Sequence, residues 1–224
     1  LCCQKQPFSH GFVYKDQGLN PNAKLKPSGI EWIGDIPEDW EVRQIRHIFD
    51  NLNNRRIPLS SLERGRMTER RYDYYGASGA IDKVDGYLYD EDLLLIAEDG
   101  ANLVMRNLPL AILATGKYWV NNHAHILRPR CGPLGFWQHA LECCDYTTAI
   151  TGSAQPKLTK DALSSFFIPY PPVDEQEKIV AFLNNNRETE IKLRKAVESQ
   201  IQSLQSLRST LIAHAVTGRI KVSK

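Results

Sequence analysis

Asn121-Asn122-His123-Ala124-His125 is the densest grouping of chemically capable side chains in this sequence. Two histidines one residue apart on an extended strand project to the same face, where they could bind a metal ion or work as acid and base. No glutamate or cysteine accompanies them nearby. A structural role, with both rings hydrogen-bonded to loop backbone, therefore fits better than catalysis. Cys131, His139, Cys143 and Cys144 form a second metal-ligand candidate, but the paired Cys-x-x-Cys spacing of a zinc site is missing. Together with Cys2 and Cys3 the cysteines number five, an odd count at no disulfide-framework spacing, which suits free thiols in a reducing compartment.

The remaining chemistry is excluded motif by motif. A DNA methyltransferase needs a glycine-rich cofactor loop and an acid or amide before Pro-Pro-aromatic, whereas Ile168-Pro169-Tyr170-Pro171-Pro172 has prolines alone. The Glu-x-Lys of a metal-dependent nuclease occurs only as Glu190-Ile191-Lys192, inside a helical pattern, and no phosphate-cradling Gly-x-x-x-x-Gly-Lys is present.

What recurs instead is groups suited to a polyanion. The net charge is only +2, yet Arg55, Arg56, Arg64, Arg66, Arg70 and Arg71 crowd one segment, while Asp82 to Asp99 is strongly acidic. A local basic segment without global basicity suits a protein that grips nucleic acid on one face; a solvated arginine-rich loop is the plain alternative. Gly152-Ser153-Ala154-Gln155-Pro156-Lys157-Leu158-Thr159-Lys160 adds a hydroxyl, an amide and two lysines on a glycine-led loop. Such groups bind phosphate oxygens and base edges. The candidate DNA contacts are Arg64, Arg66, Arg70, Lys157 and Lys160, with Ser153 and Gln155 as base readers.

Elements able to position these groups can be read from the pattern. Residues 1–29 have no sustained period and read as an arm or linker. From Arg55 to Pro169 short apolar runs alternate with turns: Tyr72 to Tyr75 before Gly76-Ala77-Ser78-Gly79, Leu93-Leu94-Leu95-Ile96 after Tyr87 and Tyr89, and Ala111 to Ala114 before Thr115-Gly116. Trp119-Val120 and Ala124 to Leu127 read as one strand interrupted at Asn121-Asn122-His123. Leu134 to Cys144 has helical spacing. The expected class is α/β or α+β: a strand-rich recognition domain over 30–172, a long helix over 173–218 and a tail over 219–224.

That helix follows a double proline, has Asp174 placed to cap with Glu177 three residues on, and meets Gly218 at its end. At roughly 66 Å it exceeds ordinary globular helices. Val180, Leu183, Val197, Ile201, Leu204, Leu211 and Ala215 share a heptad seam, interrupted by Arg187, Glu190, Arg194 and Arg208. The seam calls for a partner helix, with Val197, Ile201, Leu204 and Leu211 at the interface. Asn184-Asn185-Asn186 is the place where the helix could break. An amphipathic helix packed on its own domain is the alternative. No apolar run approaches the roughly 18 residues of a membrane span, and no secretory signal pattern opens the sequence, so a cytoplasmic location without membrane attachment is expected.

Taken together, the segments resemble half of the DNA-specificity subunit of a type I restriction-modification enzyme. The resemblance rests on Gly29-Ile30-Glu31-Trp32-Ile33-Gly34-Asp35-Ile36-Pro37-Glu38-Asp39-Trp40, Tyr75 to Gly79, Glu98-Asp99-Gly100-Ala101, Trp119 to His125, Gly152 to Leu158, and Pro171-Pro172-Val173-Asp174-Glu175-Gln176, in the family's order across about residues 25 to 224. It implies a target-recognition domain reading one half of a split double-stranded DNA site, then a helix that pairs antiparallel as a coiled coil and spaces two such domains. It also implies no catalysis and no cofactor in this chain. S-adenosylmethionine would belong to a partner methyltransferase subunit, through which a restriction subunit joins. A full subunit carries two units and this chain one, so the resemblance points to a fragment or to a half-subunit that homodimerises. The alternatives are the recognition part of a single-chain DNA methyltransferase and a coiled-coil interaction module unconnected with DNA.

Overall fold

The computed structural model describes residues 23–152 and 154–220. Most of the expected arm, Ser153 and the last four residues lie outside them. The chain runs β1 (Leu25–Pro27), β2 (Asp35–Pro37), β3 (Glu41–Gln44), α1 (Ile45–Ile48), β4 (Phe49–Asn51), α2 (Ser61–Gly65), β5 (Tyr72–Gly76), β6 (Gly79–Val84), β7 (Tyr89–Asp90), β8 (Leu93–Ala97) and α3 (Asn102–Met105). It continues through β9 (Ala111–Ala114), β10 (Lys117–Val120), β11 (Ala124–Pro129), α4 (Leu134–Cys143), β12 (Ile150–Thr151), β13 (Lys157–Leu158), α5 (Lys160–Ser165), β14 (Phe167–Tyr170) and α6 (Val173–Val216). A strand-rich α/β domain is thus followed by one long helix, in two compact units divided between Val180 and Ala181.

Two four-stranded sheets, ordered β6-β5-β10-β7 and β4-β11-β8-β9, enclose the core. Tyr89, Tyr118 and Val120 from the first meet Leu93, Leu95, Ala114, Ala124 and Ile126 from the second. All of β8 is buried because α4 packs on its other side. A strand covered on both faces cannot alternate polar and apolar, which explains the unbroken Leu93-Leu94-Leu95-Ile96 run.

One expectation fails here. Trp119-Val120 and Ala124 to Leu127 are not one interrupted strand: β10 pairs with β5 and β7 in the first sheet, β11 with β4 and β8 in the second. The Asn121-Asn122-His123 turn carries the chain from one sheet to the other. Periodicity cannot reveal such a switch, because each half is equally extended and which sheet it joins depends on distant partners.

The domain closes on itself where β3 and β14 pair antiparallel, bringing Pro169 opposite Val42. This seats the first turns of α6: Trp40 Nε1 donates to Glu175 Oε2 at 2.7 Å. The Gln176 amide nitrogen donates to the Pro171 carbonyl at 2.9 Å. Asp174 does not cap the helix. It lies within the first turn, pairing with Lys178 at 3.2 Å, while the Pro172 carbonyl accepts from the Glu175 and Gln176 backbone amides.

The asparagine triplet does not interrupt α6, which runs for 44 residues. At its C-terminus Gly218 adopts φ +70°, with Arg219 N–H bonding His214 O and Gly218 N–H bonding Ala215 O. That is the paired 6→1 and 5→2 pattern of a Schellman ending, which needs a left-handed residue and therefore favours glycine. Among the described residues no helix is long and apolar enough to cross a membrane.

Candidate nucleic-acid interface

Segments far apart in the sequence meet around Glu98. The turn between β10 and β11 is fixed first: Asn121 N–H donates to Tyr75 O at 3.0 Å, and Asn121 Oδ1 accepts the His123 amide at 2.8 Å. Glu98 N–H then reaches His123 O at 2.9 Å, Leu158 N–H reaches Glu98 O at 2.8 Å, and Gly100 N–H reaches Pro156 O at 3.0 Å. The Tyr75, Glu98-Asp99-Gly100, Asn121-to-His125 and Pro156-to-Leu158 motifs are therefore one backbone lattice.

The Glu98 side chain, 12% exposed, sits at its centre. Arg56 Nη1 donates to Glu98 Oε2 at 2.6 Å and to the carbonyls of Asn122 at 3.1 Å and Ala124 at 2.9 Å. Lys157 Nζ lies 3.3 Å from Glu98 Oε1. Burial pushes the Glu98 carboxyl up, but the Arg56 hydrogen bond and the surrounding cations outweigh it and hold it below the ordinary value.

The two histidines differ in kind. His125 is fully buried with both nitrogens engaged: Nε2–H donates to the Leu158 carbonyl at 2.7 Å, and Nδ1 accepts from Asn53 Nδ2 at 2.8 Å. The Asn53 amide cannot be reversed, because its Oδ1 accepts the Ile126 N–H at 3.0 Å. Burial holds the His125 pKa below the ordinary value, more than offsetting the Leu158 bond. The ring is a neutral structural part. His123 is 47% exposed, and its Nδ1 donates to Asp99 Oδ2 at 2.8 Å. The expectation that both would share a strand face fails, since only His125 is in the strand.

The arginine-rich segment and the acidic segment fold against one another. Arg55 pairs with Glu91 at 3.2 Å, Arg64 with Asp82 at 3.0 Å and Arg70 with Asp82 at 2.7 Å. Arg64 also lies 4.8 Å above the Tyr74 ring. Arg66, Gln155 and Lys160 are exposed. The structure thus brings Lys157 to Glu98, and holds Arg64 and Arg70 together at Asp82; Ser153 lies outside the described residues. In the sequence Arg56 and Glu98 stand only as members of a charge run and a motif. The charge complementarity of the two runs was the available signal for their meeting.

The thiols also divide. Cys131 and Cys143 are exposed, whereas Cys144 is buried, donates to Ala140 O at 3.2 Å and has its pKa pushed up to about 12 by burial. No cluster of three or more metal-ligating side chains occurs among the described residues.

The family model of the type I restriction modification DNA specificity domain matches residues 37–203, and the chain belongs to that family. The Haemophilus influenzae protein named as type I restriction enzyme specificity subunit S.HindORF215P is 32% identical over 162 residues, 71% of this chain and 38% of its own length. The fold is shared with the S subunit of a type I restriction-modification system from M. genitalium, at 17% identity and TM-score 0.54, over 76% of this chain and 41% of that one. A second solved structure, from work on complex assembly and conformational transition of the type I R-M system, gives 19% identity and TM-score 0.60 over 81% and 47%. The chain spans less than half the length of each of these relatives.

Proposed function

We propose that this chain is a non-catalytic DNA-recognition unit of a type I specificity subunit, reading one half of a bipartite duplex site and docking a methyltransferase subunit. The observation that carries the reading is the family match, which runs from the domain well into α6. Arg66 and Lys160 are exposed and available to phosphate. Arg64, Arg70 and Lys157 contact DNA by exchanging a carboxylate neighbour for a phosphate, and Ser153 and Gln155 read base edges. The chain takes no cofactor; S-adenosylmethionine belongs to the methyltransferase, through which a restriction subunit is recruited.

The same reading makes α6 an antiparallel coiled coil in a homodimer. Val197, Ile201, Leu204 and Leu211 are 45% to 65% exposed on the single chain, an arrangement that favours pairing. Two identical domains related by a two-fold axis would read a palindromic split site. Gel shift with pooled random duplexes, with and without a methyltransferase subunit, tests this: selection of a split motif supports it, and no shift in either condition refutes it. Alanine at a cation touching only phosphate should weaken all sequences alike and lower the salt slope by about one, whereas alanine at a base reader should relax one position at a cost of roughly 1 to 3 kcal/mol.

A further inference from the structure

His123 stands apart from the other polar groups of the Glu98 lattice because its backbone is fixed while one edge of its ring is uncommitted. Its amide is held by Asn121 Oδ1 at 2.8 Å and its carbonyl by Glu98 N–H at 2.9 Å. Its Nδ1 is held by the Asp99 carboxylate, at 2.8 Å from Oδ2 and 3.1 Å from Oδ1. A carboxylate accepts only, so the Nδ1 hydrogen stays on that side and any added proton goes to Nε2. Among the described residues the His123 side chain bonds only through Nδ1, leaving Nε2 without a hydrogen-bond partner, and the ring is half exposed.

The local charges give this edge a purpose. Glu98 and Asp99 are offset by Arg56 and Lys157, and the buried neutral His125 adds nothing. With His123 neutral the set sums to zero. One proton on Nε2 makes it +1 and turns that atom into a donor on the edge away from Asp99. An imidazolium N–H on a half-exposed ring, orientated by a carboxylate on the opposite nitrogen, matches a phosphodiester oxygen in charge and hydrogen-bonding sense.

Resting on the DNA-recognition reading, we propose that His123 Nε2 is a proton-linked contact for a backbone phosphate of duplex DNA. Asp99 is a positioning residue for that contact. Binding there takes up a proton, because the contact needs the donor that the added proton makes of Nε2.

The test is binding of the full chain to a labelled mixed-sequence duplex at constant salt, at about pH 6 and about pH 8. A phosphate contact needs no particular sequence. The unmodified chain should bind roughly 10-fold more weakly at the higher pH, whereas His123→Ala should change about 2-fold or less and show a salt slope smaller by about one at the lower pH. Calorimetry near neutral pH in two buffers of different ionisation enthalpy should show proton uptake that His123→Ala removes, with circular dichroism confirming the fold. DNA binding with the same pH profile in both proteins overturns the His123 contact and leaves the DNA reading standing. A loss confined to one base position at either pH overturns it in favour of base reading. No binding by the unmodified chain at either pH overturns both.

Discussion

The Glu98 lattice and the part of α6 beyond Ala181 are opposite solutions for side chains that water would not choose to leave as they are. In the lattice, buried charge is offset inside one chain: Glu98 has Arg56 and Lys157, and both nitrogens of His125 are engaged. In α6 the apolar residues Val197, Ile201, Leu204 and Leu211 remain exposed. In the first region the buried charge and the buried ring find their partners within the chain. The second has apolar surface that only a further surface can remove from water, so the two should respond differently to substitution, concentration and acid.

The largest separation should come from Leu204→Asp. A charge placed in a helix pair is costly when unpaired. The variant should sediment as a monomer at tens of micromolar where the unmodified chain is a dimer, while domain stability stays within about 0.5 kcal/mol. A monomeric unmodified chain would remove the helix from the comparison. Arg56→Ala works on the other side, leaving Glu98 without its closest counter-charge, and should cost about 3 kcal/mol in urea unfolding with the sedimentation state unchanged.

Gly132→Ala should cost about 2 kcal/mol. Gly132 has φ +83°, and an added Cβ would run into the Gln176 side chain, which is fully buried and tied to Pro171 O. Ser60→Ala removes half of the capping box at α2, where Ser60 and Glu63 bond each other's backbone amides, and should cost about 1 kcal/mol by thermal unfolding.

Acid is the gentlest probe. The His125 pKa is lowered in the folded chain, so its contribution is complete above the ordinary 6.5 and declines as pH falls toward the folded value. Glu98 is lowered too, so its contribution is complete above 4.5 and is lost as pH falls through its folded value. Urea midpoints should therefore fall on acidification in that order, and His125→Gln should flatten the upper part of the profile. A midpoint that rises between pH 7 and pH 5 would contradict the assignment of His125 as neutral.

Local rules explain why so many elements were legible in the sequence. The double proline and Gly218 bracket α6 because one forbids helix before it and the other accepts φ +70°. Gly76 to Gly79 marks the β5–β6 turn, and helical spacing marks α4. Ordered motifs carried the family, which the match over 37–203 shows. What the sequence left open were facts about contact between distant residues. Nothing local shows that Asn121-Asn122-His123 switches sheets, that Arg64 and Arg70 share Asp82, or that His123 and His125 part company. Hydrophobic period, caps and turns depend on neighbours within a few residues and are written along the chain; charge pairing, burial and the state of a ring nitrogen depend on which surfaces the fold brings together, and only the tertiary structure decides that.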